Sequence, residues 1–296
     1  MSGEGLVRVG LFLLRQLARL PYGALRRVGN VCGDLAYVLA APRRRVTLVN
    51  LRLCFPDMSE DARRGLARAH FRCFMRSFID RFVVWFEPEQ RLRALVALHG
   101  VEHYDPWRGR PVIMLAPHFV GIDAGGMRFQ ADWPGASMYA NQKSRALTEA
   151  MTRGRTRFGH SHILLRNDGL RPALRLIRKG VPFYFLPDMD LGPRDAVFVP
   201  FFGVPAATVT SLARLAKMTG AVVIPFVTRM TDTGYVAQLY PAWEDFPGDD
   251  EVAATRRMNA FIEERVREMP EQYLWSHRRF KTRPAGMPDP YGSNRR

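Results

Sequence analysis

The chain of 296 residues is poor in cysteine, and this shortage excludes several classes of protein. Its three cysteines, Cys32, Cys54 and Cys73, are odd in number and lack metal-ligand spacing. The sequence therefore predicts neither a disulfide framework nor a zinc site, and it fits a reducing compartment. A Gly-x-Ser-x-Gly motif is also absent, so the two histidines at His160 and His162 are not interpreted as hydrolase residues.

The sequence also lacks an uninterrupted run of about 20 apolar residues, which a membrane-spanning helix requires. The most apolar stretch, Leu6–Leu20, contains Arg8, Arg15 and Arg19. A helical projection places these arginines within a sector of about 40°. This pattern favours an amphipathic helix lying in the membrane interface, with its arginines at lipid phosphates. An ordinary surface helix packed on the domain is the alternative.

Acidic residues are scarce relative to basic ones: 28 Asp and Glu stand against 44 Lys and Arg, a net charge of +16. Such a charge implies an anionic partner, which is a nucleic acid, a membrane surface, a phosphorylated lipid or an acidic protein. Most of the basic residues are arginines, which bind phosphate bidentately. Nucleic-acid-binding motifs are absent, so a nucleic-acid partner has only the charge in its favour and is not expected.

The most informative segment begins with the apolar run Val112–Ala116, which predicts a buried strand that Pro117 ends. His118 follows at once, and Asp123 stands at the start of a predicted helix. A histidine that donates from one ring nitrogen to a carboxylate is held in one tautomer and becomes a better base. The pattern predicts a catalytic His118–Asp123 pair, with a structural histidine beside a capping aspartate as the alternative.

Strand and helix patterns alternate from Val96 onward and predict an α/β fold, with a mixed, largely parallel sheet flanked by helices. Predicted strands are Val96–His99, Val112–Ala116, Ser137–Ala140, Pro182–Leu186, Val222–Val227 and Tyr235–Leu239. Predicted helices are Tyr22–Ala41, Ser59–Trp85, Ile122–Ala131, Ser144–Phe158, Gly169–Lys179, Val209–Met218 and Glu251–Glu268. We expect N-terminal membrane-interface helices over 1–42, the α/β domain over 43–284 and a flexible tail over 285–296.

Three further groups of side chains carry candidate roles. Asp188 and Asp190 follow an apolar run and could hold Mg²⁺, position a basic partner or cap a loop; metal binding is not expected, because further ligands are not evident. Arg153, Arg155 and Arg157 surround a glycine and suit a phosphate, unless they form a solvated helical face. An aromatic stripe favours core packing over contact with an acyl chain: Phe71, Phe74, Phe78, Phe82 and Trp85.

Several blocks of sequence carry a resemblance to a known family. They are Asn50–Pro56, His118 to Asp123, Phe185–Arg194, Val197–Gly203, Ala206–Thr208 and Gln272–Pro284. In this order they resemble the late acyltransferases of lipid A biosynthesis, whose hallmark is His-x4-Asp/Glu. The resemblance runs from about residue 45 to residue 284, which is nearly the whole chain.

The resemblance implies roles for individual residues. His118 would be the general base and Asp123 would orient it. Asp188 would belong to the active site. Arg155, within Gly154-Arg155, and Arg166 would bind a phosphate. Position 189 is commonly Gln or His in relatives, and its methionine weakens any polar role there.

The function so implied is transfer of a fatty acyl chain from an acyl carrier protein thioester to a hydroxyl of a lipid A precursor. The enzyme would act at the cytoplasmic face of the inner membrane, without a metal or a cofactor. Lacking an evident nucleophile, it would transfer the chain directly within a ternary complex. A lysophospholipid or an amino-acid lipid as acceptor is the nearer alternative, and a basic surface-binding protein without catalysis is the more distant one.

Overall fold

A computed structural model describes residues 3–139, 144–165, 167 and 169–292. The helices are α1 (Gly3–Leu17), α2 (Tyr22–Leu39), α3 (Ala41–Cys54), α4 (Glu60–Phe86), α5 (Glu89–Leu95), α6 (Ile122–Gln130), α7 (Arg145–Arg155), α8 (Arg171–Arg178), α9 (Ser211–Thr219) and α10 (Glu251–Glu268). The strands are β1 (Val96–His99), β2 (Val112–Leu115), β3 (Gly135–Tyr139), β4 (Ser161–Leu165), β5 (Phe183–Phe185), β6 (Ala196–Phe201), β7 (Val204–Val209), β8 (Val222–Met230) and β9 (Tyr235–Leu239). A helical N-terminal region therefore precedes alternating strands and helices.

Seven strands form one sheet in the order β1-β9-β8-β2-β5-β3-β4, and β6 with β7 forms a separate hairpin. Every neighbouring pair in the sheet is parallel except β8 with β9. This mixed, largely parallel sheet flanked by helices confirms the predicted α/β fold class. The central strand β2 is buried along its whole length, which explains its continuous apolar sequence.

Successive residues of β2 point to opposite faces of the sheet and join two separate hydrophobic clusters. Ile113 and Leu115 pack into a cluster with residues of α3, α8, α9 and α10. Val112 and Met114 pack into a second cluster, to which α2, α4, α5, α6 and α7 contribute. The candidate site lies on the side of this second cluster.

Side-chain and glycine signals at helix ends agree with the structure. The Oγ atom of Ser59 accepts a hydrogen bond from the backbone N–H of Ala62 at 3.3 Å and so caps α4. Gly220 follows α9 with a φ of 65°, the left-handed conformation that glycine adopts without strain.

Proline accounts for the main differences from the predicted elements. Pro42 was expected to end a helix, but it lies in the first turn of α3, where its missing N–H costs no hydrogen bond. Pro200 and Pro205 face each other in the unpredicted β6–β7 hairpin, which has free edges that tolerate proline. Val209, expected to begin a helix, ends β7 instead. Strand β4 and helix α5 were also not predicted.

Helices α1 and α2 each pack one face on the domain and expose another. Ala18, just after α1, and Leu25 on α2 are buried against the domain. At Gly33 a Cβ would clash with the backbone of Arg72, so glycine permits the close approach of α2 to α4. The exposed apolar residues are Leu6, Val9, Phe12 and Leu13 on α1 and Val31, Leu35, Val38 and Leu39 on α2. Across the described part of the chain, we find no helix with the length and apolar character to cross a bilayer.

The segment expected to be a flexible tail is packed on the domain at Tyr291, whose side chain is buried. Its hydroxyl donates to Oδ1 of Asn50 at 2.5 Å and accepts from the backbone N–H of Phe280 at 3.0 Å. The prediction of a flexible tail over 285–296 is therefore wrong at Tyr291, where the segment is anchored. Sequence composition did not reveal the buried partners of the tyrosine hydroxyl.

Candidate active site

His118 lies just beyond the carboxyl end of the central strand β2, three residues after Leu115. Its backbone is fixed on both sides. The N–H of His118 donates to Oδ2 of Asp188 at 3.0 Å, and its carbonyl accepts from the N–H of Leu274 at 3.0 Å. The position of this histidine is therefore set by main-chain hydrogen bonds as well as by its ring.

The partner of the His118 ring is Asp188, which follows the neighbouring parallel strand β5. Leu115 pairs with Phe185 in the register, and His118 and Asp188 each lie three residues beyond that pair. Parallel neighbours end at the same edge of the sheet, so the two side chains meet there. The ring atom Nδ1 of His118 lies 2.7 Å from Oδ1 of Asp188.

Asp188 is 2% exposed, and its ionisation follows from its contact with His118. Burial raises the pKa of this carboxyl, but the attraction of His118 and the hydrogen bonds from its ring and backbone outweigh burial and lower the pKa to about 2. An ionised carboxylate only accepts hydrogen bonds, so Nδ1 of His118 carries the proton. The lone pair of the imidazole then lies on Nε2, which is the arrangement of a general base.

The predicted pairing of His118 with Asp123 is wrong, since the carboxylate on the histidine ring is that of Asp188. Asp123 instead binds two arginines. Its Oδ1 accepts from Nε and Nη2 of Arg155 at 2.9 and 2.6 Å, and its Oδ2 lies 2.9 Å from Nε of Arg81. Burial raises the pKa of Asp123, but both arginines attract the carboxylate and the pKa is lowered. Asp123 therefore neutralises part of the positive charge of two partly buried arginines.

Arg81 of α4 also lies at this site, although the sequence analysis did not predict a role for it. Its guanidinium lies 5.8 Å from the ring centroid of Phe78 and shares Asp123 with Arg155. The sequence feature that could have indicated this role is the position of the arginine within the aromatic stripe, three residues after Phe78 and four before Trp85. A charged residue on an otherwise apolar helix face is unfavourable unless it is paired, so it marks a site.

Arg155 is brought to the site by a close approach of α7 to α4. A Cβ at Gly154 would lie 2.5 Å from Cβ of Trp85, so glycine is required for this packing. Arg155 is thereby placed against Asp123, with its guanidinium 5.7 Å from the ring centroid of Tyr139. Arg166, the other predicted phosphate-binding residue, lies outside the described residues.

The segment after α10 packs against the loop that carries His118. Its residue Gln272 accepts at its carbonyl from the N–H of Val120 at 2.9 Å, next to the contact of Leu274 with His118. Asp190, considered as a metal ligand, instead binds the backbone N–H and the hydroxyl of Thr282 at 2.8 and 2.9 Å. Arg279 is buried and donates to the Ala207 carbonyl and the Thr208 hydroxyl. These contacts pack the segment after α10 on β7 and on the loop that follows β5.

Beside His118 lies an open cavity of about 740 Å³. Its polar lining includes His118, Asp123, Arg81 and Arg155. Most of the remaining lining is apolar and includes Phe78, Phe82, Trp85, Ile122, Met127, Met138, Leu147, Met151, Leu170, Tyr184, Phe185, Leu186, Met189 and Leu191. Three residues of the aromatic stripe thus belong both to the core and to the cavity wall. An apolar cavity with a few polar groups at one place suits a ligand with a long apolar part and a reactive head.

Comparisons with known proteins agree with this chemistry. The sequence matches the family described as bacterial lipid A biosynthesis acyltransferase over residues 1–282. It is 34% identical over 288 residues to the lipid A biosynthesis lauroyltransferase of Escherichia coli (strain K12), with 96% of this chain and 94% of that protein covered. It is 31% identical over 282 residues to the palmitoleoyltransferase of the same pathway and strain, with 94% and 91% covered.

The fold is also similar to one solved structure. This is the crystal structure of the 1-acyl-sn-glycerophosphate acyltransferase from Thermotoga maritima, which is 16% identical in sequence and has a TM-score of 0.41. The similarity covers 82% of this chain and 98% of that one.

Proposed function

Because the chain belongs to the bacterial lipid A biosynthesis acyltransferase family, we propose that it transfers a fatty acyl chain from an acyl carrier protein thioester to a hydroxyl group of a lipid A precursor. The observation that carries this proposal is the contact between His118 and the buried Asp188 at the wall of an apolar cavity. The histidine supplies a base, and the cavity supplies a place for the chain.

In the proposed mechanism, Nε2 of His118 takes the proton of the acceptor hydroxyl while its oxygen attacks the thioester carbonyl carbon. This attack forms the new C–O bond and gives a tetrahedral intermediate. When the intermediate collapses, the C–S bond breaks, and the proton passes from the imidazolium to the departing thiolate. Asp188 holds the Nδ1 proton and stabilises the imidazolium, which is the role that the sequence had assigned to Asp123. The transfer is direct, without an acyl-enzyme.

The two arginines on Asp123 serve the anionic part of the substrates. Arg155 uses Nε and Nη2 on Asp123, and among the described residues nothing accepts from its Nη1. One carboxylate between two guanidinium groups leaves a net positive charge at the cavity. We assign to Arg155, together with Arg81, the binding of a phosphate group of the lipid or of the phosphopantetheine arm.

The exposed faces of α1 and α2 support association with the inner membrane at its cytoplasmic face. On α1, the exposed residues Leu6, Val9, Phe12 and Leu13 occupy a helical sector of about 120°. Arg8 and Arg15 lie about 40° and 60° beyond the Phe12 side of this sector, from where their long side chains can reach lipid phosphates. The net charge of +16 favours both an anionic membrane surface and an acidic carrier protein. We therefore retain residues 1–42 as the membrane-interface layer.

A vesicle assay tests the membrane layer. Replacing Phe12 and Leu13 together by serine should reduce co-flotation with vesicles that contain anionic phospholipid, because two exposed apolar side chains no longer enter the interface. Val252→Ser is the matched control, since Val252 is also exposed but lies on α10. Flotation that falls equally with the control would contradict the assignment.

An acyl-transfer assay tests the activity. Purified protein is incubated with acyl carrier protein thioesters and a tetra-acylated lipid A precursor, and products are measured by mass spectrometry. Wild type and His162→Ala, which alters an exposed histidine away from the cavity, should both add an acyl mass, and a folded His118→Ala should not. Product only with a lysophospholipid acceptor would overturn the lipid A assignment. Equal product from His118→Ala would overturn the mechanism.

A further inference from the structure

Helix α6 lines the cavity with one face over its whole length. The lining residues are Ile122, Asp123, Gly126, Met127 and Gln130, which recur at the spacing of successive helical turns. From Ile122 to Gln130 the helix rises about 12 Å. The cavity is thus a channel that runs along α6, with Asp123 near its beginning and Gln130 at its other end.

The direction of this channel follows from the sheet. Strand β3 is parallel to β5, which is parallel to β2, so Gly135 at the start of β3 lies at the edge of the sheet opposite His118. The side chain of Gln130 would contact a Cβ at Gly135, at 3.3 Å. Among the residues of α6 that line the cavity, Gln130 therefore lies farthest from His118.

Gln130 is a buried polar side chain, only 7% exposed, at the end of a mostly apolar cavity. Its Oε1 accepts from the hydroxyl of Ser161 at 2.9 Å. Its backbone carbonyl lies 2.6 Å from Nε2 of His160. Ser161 is not among the cavity-lining residues, so the glutamine stands between the cavity and the amino edge of β4. Among contacts of the described residues, nothing accepts from its amide NH₂ group.

We propose that Gln130, held in place by Ser161, is a polar stop that sets the longest fatty acyl chain the enzyme transfers; this inference rests on the proposed acyltransferase function. A hydrocarbon end that reaches the amide must displace water from it without offering a hydrogen bond, which is unfavourable. A chain that ends before the amide lies mostly against apolar walls and leaves the hydration of the amide intact. The stop therefore discriminates against longer chains by desolvation as well as by volume.

Gly126 offers a change in the opposite direction. It lies one helical turn before Gln130, about 6 Å nearer the start of the channel. A Cβ at Gly126 would meet Tyr184 at 3.5 Å, an ordinary contact, so the backbone accepts a side chain. A leucine at this position would extend into the cavity and shorten it.

The test measures kcat/KM for acyl carrier protein thioesters of even-numbered saturated chains from octanoyl to stearoyl. For Gln130→Ala, the kcat/KM of the chain two carbons longer than the wild-type optimum, relative to that optimum, should rise by roughly 10-fold. Ser161→Ala should shift the profile in the same direction by less, because the glutamine remains but loses its anchor. Gly126→Leu should shift the optimum to shorter chains. Gln238→Ala, a glutamine outside the cavity, should leave the profile unchanged.

Two results separate failure of the stop from failure of the function. If wild type transfers chains with a length optimum that neither Gln130→Ala nor Ser161→Ala moves, the stop is overturned and the acyltransferase function stands. If wild type transfers no chain, the acyltransferase function is overturned, and with it the proposal that Gln130 limits the length of the transferred chain. Calorimetry of free fatty acids of the same lengths then shows whether Gln130 limits the chain length that the cavity binds.

Discussion

Two aspartates near His118 bind different types of side chain. Asp188, with a side chain 2% exposed, binds a histidine ring and its backbone N–H. Asp123, with a side chain 9% exposed, binds two arginines. The first contact creates a base, because the carboxylate fixes the imidazole tautomer. The second holds positive charge in an apolar cavity, because each guanidinium needs a partner when it is desolvated.

Strand register, and not spacing along the chain, decides which carboxylate meets the His118 ring. His118 lies on the loop after β2, and Asp123 lies five residues later in the first turn of α6, yet the two side chains do not pair. His118 and Asp188 are seventy residues apart, and adjacent parallel strands bring them together. The four-residue gap of the sequence motif therefore places a charge-holding aspartate beside the base and does not itself form the dyad.

The largest difference between the two aspartates is expected in turnover. Asp188→Asn should lower kcat by roughly 10²–10⁴-fold, since the amide cannot hold the imidazole in the tautomer with a basic Nε2. Asp123→Asn should lower kcat less and keep the pH dependence of kcat of the wild type. Steady-state acyl-transfer rates over a range of pH measure both. A larger loss of kcat in Asp123→Asn than in Asp188→Asn would reverse the assignment of roles.

The next effect concerns stability. Asp123→Ala should lower the free energy of unfolding by about 3–5 kcal/mol, because Arg81 and Arg155 are left without a partner in the cavity. Asp34, which lies between Arg68 and Arg72 on the surface, provides the matched control. Asp34→Ala should cost about 1 kcal/mol or less, since water solvates the freed arginines. Urea denaturation measures both, and equal losses would show that the cavity does not isolate the Asp123 cluster from solvent.

A third buried aspartate, Asp80, should make the stability of the protein depend on pH. Burial raises its pKa to about 6, and the hydrogen bonds from Tyr235 and Tyr22 and the attraction of Arg76 offset burial only in part. Between the ordinary pKa of an aspartate, 3.8, and about 6, the folded protein keeps a proton that the unfolded chain has lost, so stability falls as pH rises from about 4 to about 6. Asp80→Asn should remove about 3 kcal/mol of this pH dependence, measured by denaturation across that range. An unchanged slope would contradict the shift.

The smallest effect is expected at Gly154, which allows α7 to approach α4 and so places Arg155 against Asp123. Gly154→Ala should cost about 1–3 kcal/mol of stability, because the new methyl group forces α7 away from Trp85, and activity should fall with it. Gly65→Ala is the control: it is a helical glycine on α4 with open space around it. This control should stabilise the protein by about 0.5–1 kcal/mol. Activity that survives Gly154→Ala intact would show that the position of Arg155 is not critical.

The sequence was sufficient for most elements and for the individual site residues, but not for their pairing. Apolar runs that end at Pro117 and Pro187 indicated that His118 and Asp188 both follow strands. The pairing also requires that β2 and β5 be neighbours, and a single sequence does not reveal this order because β3 and β4 intervene along the chain. Arg81 was missed for the same reason, since a helix pattern does not show which buried aspartate its arginine will meet.

Nitrogen NMR of the His118 imidazole, in protein labelled with ¹⁵N-histidine, tests the contact between His118 and Asp188 directly. We expect a strongly hydrogen-bonded Nδ1–H signal in wild type, assigned by its loss in His118→Ala. That signal should persist in Asp123→Asn and disappear in Asp188→Asn, each shown to be folded by circular dichroism. A signal that survives in Asp188→Asn and is lost in Asp123→Asn would show that the motif residues form the dyad after all.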